Sequence, residues 1–422
     1  MDYFLVGGEK KLSGTITVEG SKNASLPIMA ASLIYGGEVQ LANIPALVDI
    51  KNMIKLLESF GSIVEKIPAG YKINNKELHS THADYELVRK MRASFFVLGP
   101  LLARFKKAHV SLPGGCAIGT RPVDIHLDGL KRLGVEIKLQ NGYVEASAEK
   151  IVGNDVPLSF PSVGATENIL MCASLGKGIT KIINAAREPE IVDLANFLNS
   201  LGCEISGHGT SEITIKGIES YQNLKPLKKP YAIIKDRICA ATYALVGIMT
   251  NSQITVEGFN QEHLKSFVDV LNQMNASFKI QGETFQSFFQ GDLRPVNIHT
   301  GPFPMFPTDL QAQMMSIMTK CHGVSSIKED VFENRFMHVP ELCRLGAHIS
   351  VEENTALING PVQLTGAPVM CTDLRASAAL VIAALTAQGE TKIQRVYHLD
   401  RGYEQLDLRL NQLGANISRL NS

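Results

Sequence analysis

The chain has 422 residues, of which 45% are apolar and 19% are charged, and its 41 basic side chains balance its 41 acidic ones. This composition is typical of a globular protein and excludes a disordered chain. The length predicts two or three domains of about 150 residues each. Zero net charge gives no support for a nucleic-acid partner or an acidic membrane surface, although it still allows a local cluster of basic residues.

The apolar segments are too short to cross a membrane. The longest, residues 376–387, follows Arg375 and falls short of the roughly 18 residues that a membrane helix needs. The N-terminus has no basic stretch followed by a long apolar one, so we expect no signal peptide and a cytoplasmic location. In that compartment the seven cysteines are expected to be reduced, and none forms the C-x-x-C pair typical of zinc sites.

The strongest architectural signal is an amphipathic helix that ends at Gly or Asn and is followed by an alternating strand. Gly and Asn accept the left-handed conformation that ends a helix, and alternation of apolar and polar residues is typical of a half-buried strand. The pattern recurs about every 70 residues, with the terminating residue at Gly61, Gly134, Gly202, Asn275, Gly346 and Gly414.

A second pattern precedes each copy of the first. It is a short polar or charged start followed by a helix built almost entirely of apolar, often small, residues. A helix that is apolar on all sides is buried, so we expect only its polar start to be exposed. In chain order, the starts lie at residues 21–26, 89–94, 164–168, 236–242, 308–313 and 372–377.

These repeats predict an α/β (α+β) fold of six units, three in each of two domains. Each unit has one buried helix, one amphipathic helix and several short strands. The most linker-like segment near the middle is the Lys- and Pro-rich stretch of residues 221–230, and we place the boundary there. The pattern alone does not assign the first strand, before Ser21, to either domain.

Basic residues at or near the buried-helix starts, where helix N-termini already favour anions, are candidates for binding an anion. Arginine binds carboxylates and phosphates through paired hydrogen bonds, and lysine adds a point charge. The set predicts a cationic cleft for a small molecule with phosphate and carboxylate groups; the alternative is surface charge or local ion pairs such as Asp373 with Arg375. The basic residues are Lys22, Arg92, Arg237 and Arg375, with Arg121, Arg335 and Arg401 in other polar segments.

The segment 113–122 carries three glycines between two prolines, which is typical of a mobile lid or of a loop that approaches a ligand closely. Cys116 lies in this loop and is a candidate general acid or nucleophile; the alternative is a cysteine tucked into a turn. We interpret the other six cysteines as small core residues.

Two further segments have candidate site residues. Asp309 follows Pro307 and Thr308 at a helix start and is either a helix cap or a general base. Residues 330–338 mix charged and aromatic side chains without a clear period, which favours a loop facing a site. No Walker, Rossmann, HExxH or GxSxG motif occurs in its required context, so nucleotide hydrolysis and dinucleotide redox chemistry have little support.

Short motifs spread over the whole chain resemble those of the enolpyruvyl transferases that use UDP-N-acetylglucosamine. The resemblance implies two similar domains, each an inverse α/β barrel of three units. One would comprise residues 21–229 and carry the lid loop, and the other residues 1–20 and 230–422. The motifs lie at residues 20–24, 89–94, 112–119 (Leu-Pro-Gly-Gly-Cys-Ala-Ile-Gly), 121–124, 161–166, 306–309, 333–336, 372–377 and 400–404.

The resemblance also implies an activity. The enolpyruvyl group of phosphoenolpyruvate would be transferred to the 3′-hydroxyl of UDP-N-acetylglucosamine with release of phosphate, the first committed step of peptidoglycan synthesis. Cys116 would donate a proton to phosphoenolpyruvate, and Asp309 would take the hydroxyl proton. The reaction implies no metal or organic cofactor, no nucleic acid and no membrane partner, and it leaves the oligomeric state open.

Substrate-binding residues follow from the same resemblance, with Arg335 and Asp373 in supporting roles. Lys22, Asn23, Arg121, Arg375 and Arg401 would bind phosphoenolpyruvate. UDP-N-acetylglucosamine would contact Arg92, Arg121, Pro122, Val123, Asp124, Ile125, Ser162, Val163, Asp309 and Val331.

The chain departs from the family's pattern at one place. After Asp236-Arg237-Ile238 family members usually carry Glu, with Gly two positions later, whereas this chain has Cys239 and Ala241. The departure puts in doubt a role for an acidic residue at position 239, but not the core mechanism.

Two other functions are weighed against this one. The first is enolpyruvyl transfer to shikimate 3-phosphate, against which the Gly-Gly-Cys lid argues. The second is a catalytically silent sugar-nucleotide-binding protein, against which the full set of Lys22, Cys116, Asp309, Arg375 and Arg401 argues.

Overall fold

The computed structural model describes residues 2–114 and 123–421. Within them, residues 20–114 and 123–234 form one compact unit, here called the N-terminal unit. Residues 2–19 and 235–421 form a second, here called the C-terminal unit. The domain limits expected from the sequence, at residues 20/21 and 229/230, stay a prediction.

Short helices alternate with short strands along both units. The α-helices are α1 (Lys22–Ala31), α2 (Val48–Ser59), α3 (Tyr85–Val88), α4 (Leu98–Phe105), α5 (Asp124–Arg132), α6 (Val163–Ala173), α7 (Pro189–Ser200), α8 (Arg237–Met249), α9 (Lys265–Gln273), α10 (Gln311–Met318), α11 (Val339–Arg344), α12 (Leu374–Ala384) and α13 (Leu406–Gln412). Single 3₁₀ turns span Ser32–Ile34, Arg92–Val97, Tyr221–Asn223, Glu262–Leu264, Thr308–Leu310 and Val396–Arg401.

The strands are two to six residues long. In the first half of the chain they are β1 (Asp2–Gly7), β2 (Ser13–Thr17), β3 (Glu38–Ala42), β4 (Ile63–Ile67), β5 (Gly70–Asn74), β6 (His82–Ala83), β7 (Lys107–Ser111), β8 (Glu136–Gln140), β9 (Tyr143–Ser147), β10 (Asp155–Pro157), β11 (Ile179–Ile183), β12 (Glu204–Ser206) and β13 (Glu212–Lys216). They continue as β14 (Tyr231–Ala232), β15 (Gln253–Glu257), β16 (Phe278–Gln281), β17 (Thr284–Ser287), β18 (Asn297–His299), β19 (Gly323–Lys328), β20 (His348–Glu352), β21 (Thr355–Gly360), β22 (Pro368–Met370), β23 (Glu390–Gln394) and β24 (Asn416–Asn421).

These strands build sheets of four, each with one parallel pair followed by two antiparallel pairs. The N-terminal unit has the orders β14-β3-β5-β4, β6-β7-β9-β8 and β10-β11-β13-β12. The C-terminal unit has the orders β22-β23-β1-β24, β16-β17-β15-β2 and β18-β19-β21-β20. The described residues therefore form six sheets with one topology, as the six predicted repeats require.

The N-terminal strands complete sheets whose other strands lie far along the chain. Strand β1 runs antiparallel between β23 and β24, with Phe4 opposite both Ile393 and Arg419. Strand β2 runs parallel to β15, with Thr15 opposite Thr255. The first strands thus belong to the C-terminal unit, which the repeat pattern alone left open.

All six predicted helix-ending residues adopt positive φ. The angles are 105° at Gly61, 87° at Gly134, 100° at Gly202, 60° at Asn275, 95° at Gly346 and 97° at Gly414. Positive φ is unfavourable for most residues, but Gly has no side chain to clash and the short polar side chain of Asn is tolerated. The prediction of repeated helix ends is therefore confirmed.

The buried helices are confirmed as well, but the expected exposure of their polar starts is wrong for Lys22, Arg237 and Arg375, which are buried because they pair or pack within their units. In α8 every residue is buried, and in α12 every residue after Leu374 is buried. In the C-terminal unit α8, α10 and α12 pack against one another. In each unit two buried helices begin at a capping side chain, and the third, α4 or α10, follows a 3₁₀ turn that starts at Arg92 or Thr308.

Five cysteines are buried as expected: Cys172, Cys203, Cys239, Cys321 and Cys371. The prediction is wrong for Cys343, which is exposed. Its neighbour Leu342 faces the core, and because successive residues of a helix point in different directions, Cys343 lies on the outer side of the amphipathic helix α11. Within the described part of the chain, no helix combines the length and the apolar character needed to span a membrane.

Candidate functional site

Asp309 lies at the centre of a charged cluster in the C-terminal unit. Its Oδ1 is 2.8 Å from Nη2 of Arg335, and its Oδ2 is 3.2 Å from Nη2 of Arg375. Both guanidinium groups are buried, whereas the Asp309 side chain is 27% exposed. Asp309 stands within the 3₁₀ turn Thr308–Leu310, whose cap residue Pro307 offers no side-chain hydrogen bond. Its carboxylate therefore contacts both arginines.

Burial and the Asp309 carboxylate have opposite effects on the pKa of Arg375. Burial acts to lower the pKa of the Arg375 guanidinium, but the Asp309 carboxylate acts in the opposite direction and the pKa stays above its ordinary value. A buried, permanently charged group of this kind needs its partner, because an unpaired buried charge is costly.

A second layer of hydrogen bonds supports the cluster. Arg335 Nη1 donates to the Thr308 hydroxyl at 3.0 Å, which in turn donates to Glu329 at 2.8 Å. The other carboxylate oxygen of Glu329 accepts the backbone N–H of Val331 at 2.9 Å. The loop predicted to face a site, residues 330–338, thus contacts Asp309 through Arg335 and is tied to it through Glu329.

Asp373 and Asp236 act as helix caps. Asp373 accepts hydrogen bonds from the backbone N–H groups of Arg375 and Ala376 at 2.8 and 3.1 Å. Asp236 caps α8 in the same way, and the residue that follows it, Arg237, is buried. The pairing of Asp373 with Arg375 weighed from the sequence therefore exists through the backbone amide, while the Arg375 guanidinium contacts Asp309.

Arg401 ends the 3₁₀ turn Val396–Arg401, which packs against α12. Partial burial lowers the pKa of His398 in this turn, and Arg401 lowers it further, so the two side chains lie close together. Asp373 influences the same histidine in the opposite direction. Asp309 and Arg375 thus meet near the start of α12, and the turn that ends at Arg401 packs against the same helix.

Cys239, at the position where the chain departs from the family's pattern, is fully buried in α8. Its thiol donates to the carbonyl of Gly402 at 3.6 Å and lies near the buried carboxyl of Glu19. Burial raises the pKa of this thiol well above its ordinary value.

In the N-terminal unit, Lys22 is the first residue of α1 and follows the capping residue Ser21. Its Nζ is 3.5 Å from Oδ2 of Asp49, and both side chains are buried. Asn23, the next residue, is half-buried. Asp49 was not among the predicted site residues, and only its place in the first turn of α2 offered a signal.

The remaining predicted residues of this unit lie at helix starts. Ser162 caps α6 by accepting from the backbone N–H of Ala165 at 3.3 Å, and Val163 is the first helical residue. Val123 precedes α5, and Asp124 and Ile125 open it. The three are buried, exposed and half-buried, in that order.

Arg92 begins a 3₁₀ turn and acts on a buried histidine. Asn168 donates to Nδ1 of His126 at 3.0 Å. Burial lowers the pKa of His126 to about 3, and the positive charge of Arg92 contributes to the shift. His126 is therefore a neutral, structural neighbour of Arg92.

Cys116, Arg121 and Pro122 lie outside the described residues. Among residues 2–114 and 123–421, no group of three or more His, Cys, Asp or Glu side chains is arranged to hold a metal ion. In each unit, lysine or arginine side chains of the described residues lie at the starts of buried helices. Helix starts favour anions, so this arrangement suits an anionic ligand.

Comparison with known proteins identifies the family. The sequence profile of EPSP synthase (3-phosphoshikimate 1-carboxyvinyltransferase) matches residues 6–410. The chain belongs to this family of enolpyruvyl transferases. It is also 50% identical to UDP-N-acetylglucosamine 1-carboxyvinyltransferase of Helicobacter pylori strain Shi470, over all of this chain and 99% of that protein. The resemblance seen in the sequence motifs is confirmed.

Two further comparisons agree with it. The chain is 47% identical to UDP-N-acetylglucosamine 1-carboxyvinyltransferase 2 of Carboxydothermus hydrogenoformans, with both proteins covered completely. The crystal structure of the enolpyruvyl transferase NikO from Streptomyces tendae matches with a TM-score of 0.90 at 24% identity, covering 100% of this chain and 99% of that one. That likeness confirms the predicted fold class.

Proposed function

We propose that this protein transfers the enolpyruvyl group of phosphoenolpyruvate to the 3′-hydroxyl of UDP-N-acetylglucosamine and releases phosphate. The observation that carries the proposal is the 50% identity, over the full length of both chains, to a protein named for this reaction. The protein would then act in the first committed step of peptidoglycan synthesis, in the cytoplasm, and so serve cell-wall formation and cell division.

In this proposal phosphoenolpyruvate is bound by Lys22, Asn23, Arg121, Arg375 and Arg401. The ligand carries a phosphate and a carboxylate, so several cations are needed to take it from water. Lys22 begins a buried helix and Arg375 lies in the first turn of another, so each adds its charge to the positive end of a helix dipole. Supporting roles for Arg335 and Asp373 fit their contacts with Asp309 and with the start of α12.

The acceptor would contact a second set of residues. These contacts are Arg92, Arg121, Pro122, Val123, Asp124, Ile125, Ser162, Val163, Asp309 and Val331. Those within the described part of the N-terminal unit stand at helix starts, where backbone N–H groups suit a diphosphate.

The chemistry needs one acid and one base. Cys116 would donate a proton to C3 of phosphoenolpyruvate, which makes C2 electrophilic. Asp309 would accept the proton of the 3′-hydroxyl as its oxygen attacks C2. Loss of a proton from C3 and of phosphate from C2 then restores the double bond. An acid or base of this kind typically contributes about 10² to 10⁴ in rate.

The environment of Asp309 suits this role. Two guanidinium groups lie within 3.2 Å of its carboxylate and favour the ionised form, which is the form that accepts a proton. Arg335 donates to the Thr308 hydroxyl, which Glu329 holds, so it would stabilise negative charge on the substrate without rearranging during the reaction.

The test is phosphate release with two acceptors. The purified protein is supplied with phosphoenolpyruvate and either UDP-N-acetylglucosamine or shikimate 3-phosphate, and the product is identified by its mass. We expect phosphate to be released when the acceptor is UDP-N-acetylglucosamine and not when it is shikimate 3-phosphate. Release only with shikimate 3-phosphate would favour the sister activity, and tight binding of the sugar nucleotide without release would favour a silent binding protein.

A further inference from the structure

The segment that carries Arg401 is bounded by two residues in an unfavourable backbone conformation. Arg395, just before the 3₁₀ turn Val396–Arg401, has φ of 59°, and Gln405, just before α13, has φ of 49°. Neither is glycine, and such left-handed residues persist only where the surrounding structure holds them in place. The conformation of residues 396–405 therefore depends on tertiary contacts.

Two polar contacts hold the backbone immediately after Arg401. The Cys239 thiol donates to the carbonyl of Gly402 at 3.6 Å. Arg409 Nε donates to the carbonyl of Glu404 at 2.9 Å. One anchor comes from the buried helix α8 and the other from α13, so the segment is held from two sides.

Tyr403, between these two carbonyls, is a third anchor. Its side chain is 1% exposed. Its hydroxyl lies 3.0 Å from the Thr242 hydroxyl and accepts a hydrogen bond from Gln313 at 3.1 Å. The Arg375 guanidinium lies over the same ring, 5.5 Å from its centroid. The segment after Arg401 thus packs against another arginine of the proposed site.

One carboxyl group connects the first two anchors. Glu19 is 8% exposed and accepts hydrogen bonds from the Tyr243 hydroxyl at 3.2 and 3.3 Å. Its Oε2 is 3.7 Å from Nη1 of Arg409, and the Cys239 thiol lies near the same carboxyl. Burial raises the pKa of Glu19, and Arg409 opposes that shift.

We propose that Glu19 is a positioning residue for Arg401. Its carboxyl group orients Arg409, which holds the carbonyl of Glu404, while the nearby Cys239 thiol holds the carbonyl of Gly402. The inference rests on the proposed role of Arg401 in binding phosphoenolpyruvate. Glu19 itself touches no substrate in this account.

The predicted effect is specific to one substrate. A displaced Arg401 weakens the grip on phosphoenolpyruvate in the ground state and in the transition state alike, which raises KM and leaves kcat nearly unchanged. We expect Glu19→Gln to raise KM for phosphoenolpyruvate about tenfold, which corresponds to about 1.4 kcal/mol. KM for UDP-N-acetylglucosamine should change less than about twofold, because the proposed acceptor contacts lie elsewhere.

The experiment combines kinetics with hydrogen exchange on the full chain. Steady-state constants for both substrates are measured for the parent, Glu19→Gln and Glu19→Asp. Backbone amide exchange of residues 396–405 is followed by mass spectrometry. The matched control is Glu257→Gln, the same chemical change at an exposed carboxylate that accepts a hydrogen bond from Thr17.

The expected result is a rise in KM for phosphoenolpyruvate and roughly tenfold faster exchange of residues 396–405 in Glu19→Gln, partial recovery in Glu19→Asp, and no change in Glu257→Gln. The proposal is overturned if KM for phosphoenolpyruvate and this exchange both stay at the parent values. It is equally overturned if exchange quickens throughout the C-terminal unit and both KM values rise alike, since that is a general loss of stability.

Exchange also separates this inference from the proposed function. A parent protein that releases no phosphate with UDP-N-acetylglucosamine would refute the function, while faster exchange confined to residues 396–405 in Glu19→Gln would still support the anchoring role. If Glu19→Gln does not fold, Arg409→Gln replaces it as the test, because Arg409 is partly exposed. Unchanged amide exchange of residues 396–405 in Arg409→Gln would then refute the positioning role of Glu19.

Discussion

Replacing Asp309 by asparagine is the sharpest test of the charged cluster in the C-terminal unit. The substitution keeps the shape of the side chain and removes its charge. Arg335 and Arg375 then remain buried, with 5% and 2% of their side chains exposed, and lose the carboxylate that each contacts. Because water cannot reach these guanidinium groups, the loss should appear in folding stability as well as in activity.

The magnitude follows from burial. Breaking a buried ion pair costs about 3–5 kcal/mol, and a hydrogen bond to a charged group contributes about 1.5–3 kcal/mol. Asp309 is 27% exposed, and the asparagine carbonyl can still accept one hydrogen bond. We therefore expect Asp309→Asn to destabilise the C-terminal unit by about 3 kcal/mol, the lower end of that range. For a unit of this size, that corresponds to a Tm lower by roughly 6–12 °C.

The assay is denaturant and thermal unfolding of Asp309→Asn beside the parent. The control is Asp292→Asn, the same change at an aspartate whose side chain is 87% exposed, which should leave Tm within about 1 °C. A double-mutant cycle with Arg375→Gln should return a coupling energy of about 2 kcal/mol. If Asp309→Asn unfolds at the same denaturant concentration as the parent, our account of the cluster is wrong.

Three further predictions concern other parts of the chain. His126 has a pKa of about 3 in the folded chain and 6.5 in the unfolded one, so its neutral form adds stability above pH 6.5 that is lost as the pH falls. When the pH is lowered from 7.5 to 5, the free energy of unfolding measured in urea should therefore fall by about 2 kcal/mol less for His126→Gln than for the parent. Gly346→Ala should cost about 1–2 kcal/mol for its left-handed backbone alone. Gly61→Ala should cost more in the same unfolding assay, since its added methyl would lie 2.4 Å from His79. Cys116→Ser should lose most phosphate release, whereas Cys116→Asp should keep part of it and resist thiol alkylation; full activity of the serine variant would refute the acid role.

Some residues of the candidate site can be predicted from their place at a helix start, and others cannot. Lys22, Arg92 and Arg375 could be found because polar residues at the start of an apolar helix stand out from the apolar sequence that follows. Sequence reasoning missed Asp49 and Glu329. Asp49 lies in the first turn of an amphipathic helix and Glu329 stands beside Asp330, and neither setting indicates a contact with a site residue. Only the structure shows that Asp49 contacts Lys22 and that Glu329 holds both Thr308 and the loop at Val331.

For Asp309, the sequence predicted the position but did not distinguish between two roles. Its position after Pro307 and Thr308 allowed both a helix cap and a general base, and no local rule separates them. The structure shows that its carboxylate contacts Arg335 and Arg375, which lie 26 and 66 residues further along the chain, and its role as a base stays a prediction. Two guanidinium groups brought to one carboxylate are a product of chain folding, and sequence spacing carries no record of them.

By itself the sequence determined the repeat: six buried helices, each followed by a helix that ends at Gly or Asn. These features depend on neighbours within a few residues, through apolar periodicity and the backbone freedom of the helix-ending residue. Tertiary structure alone decided that β1 lies between β23 and β24, and that the carboxyl of Glu19 lies beside Arg409. Contacts between residues nearly 400 positions apart arise from packing of whole elements, which local preferences do not encode.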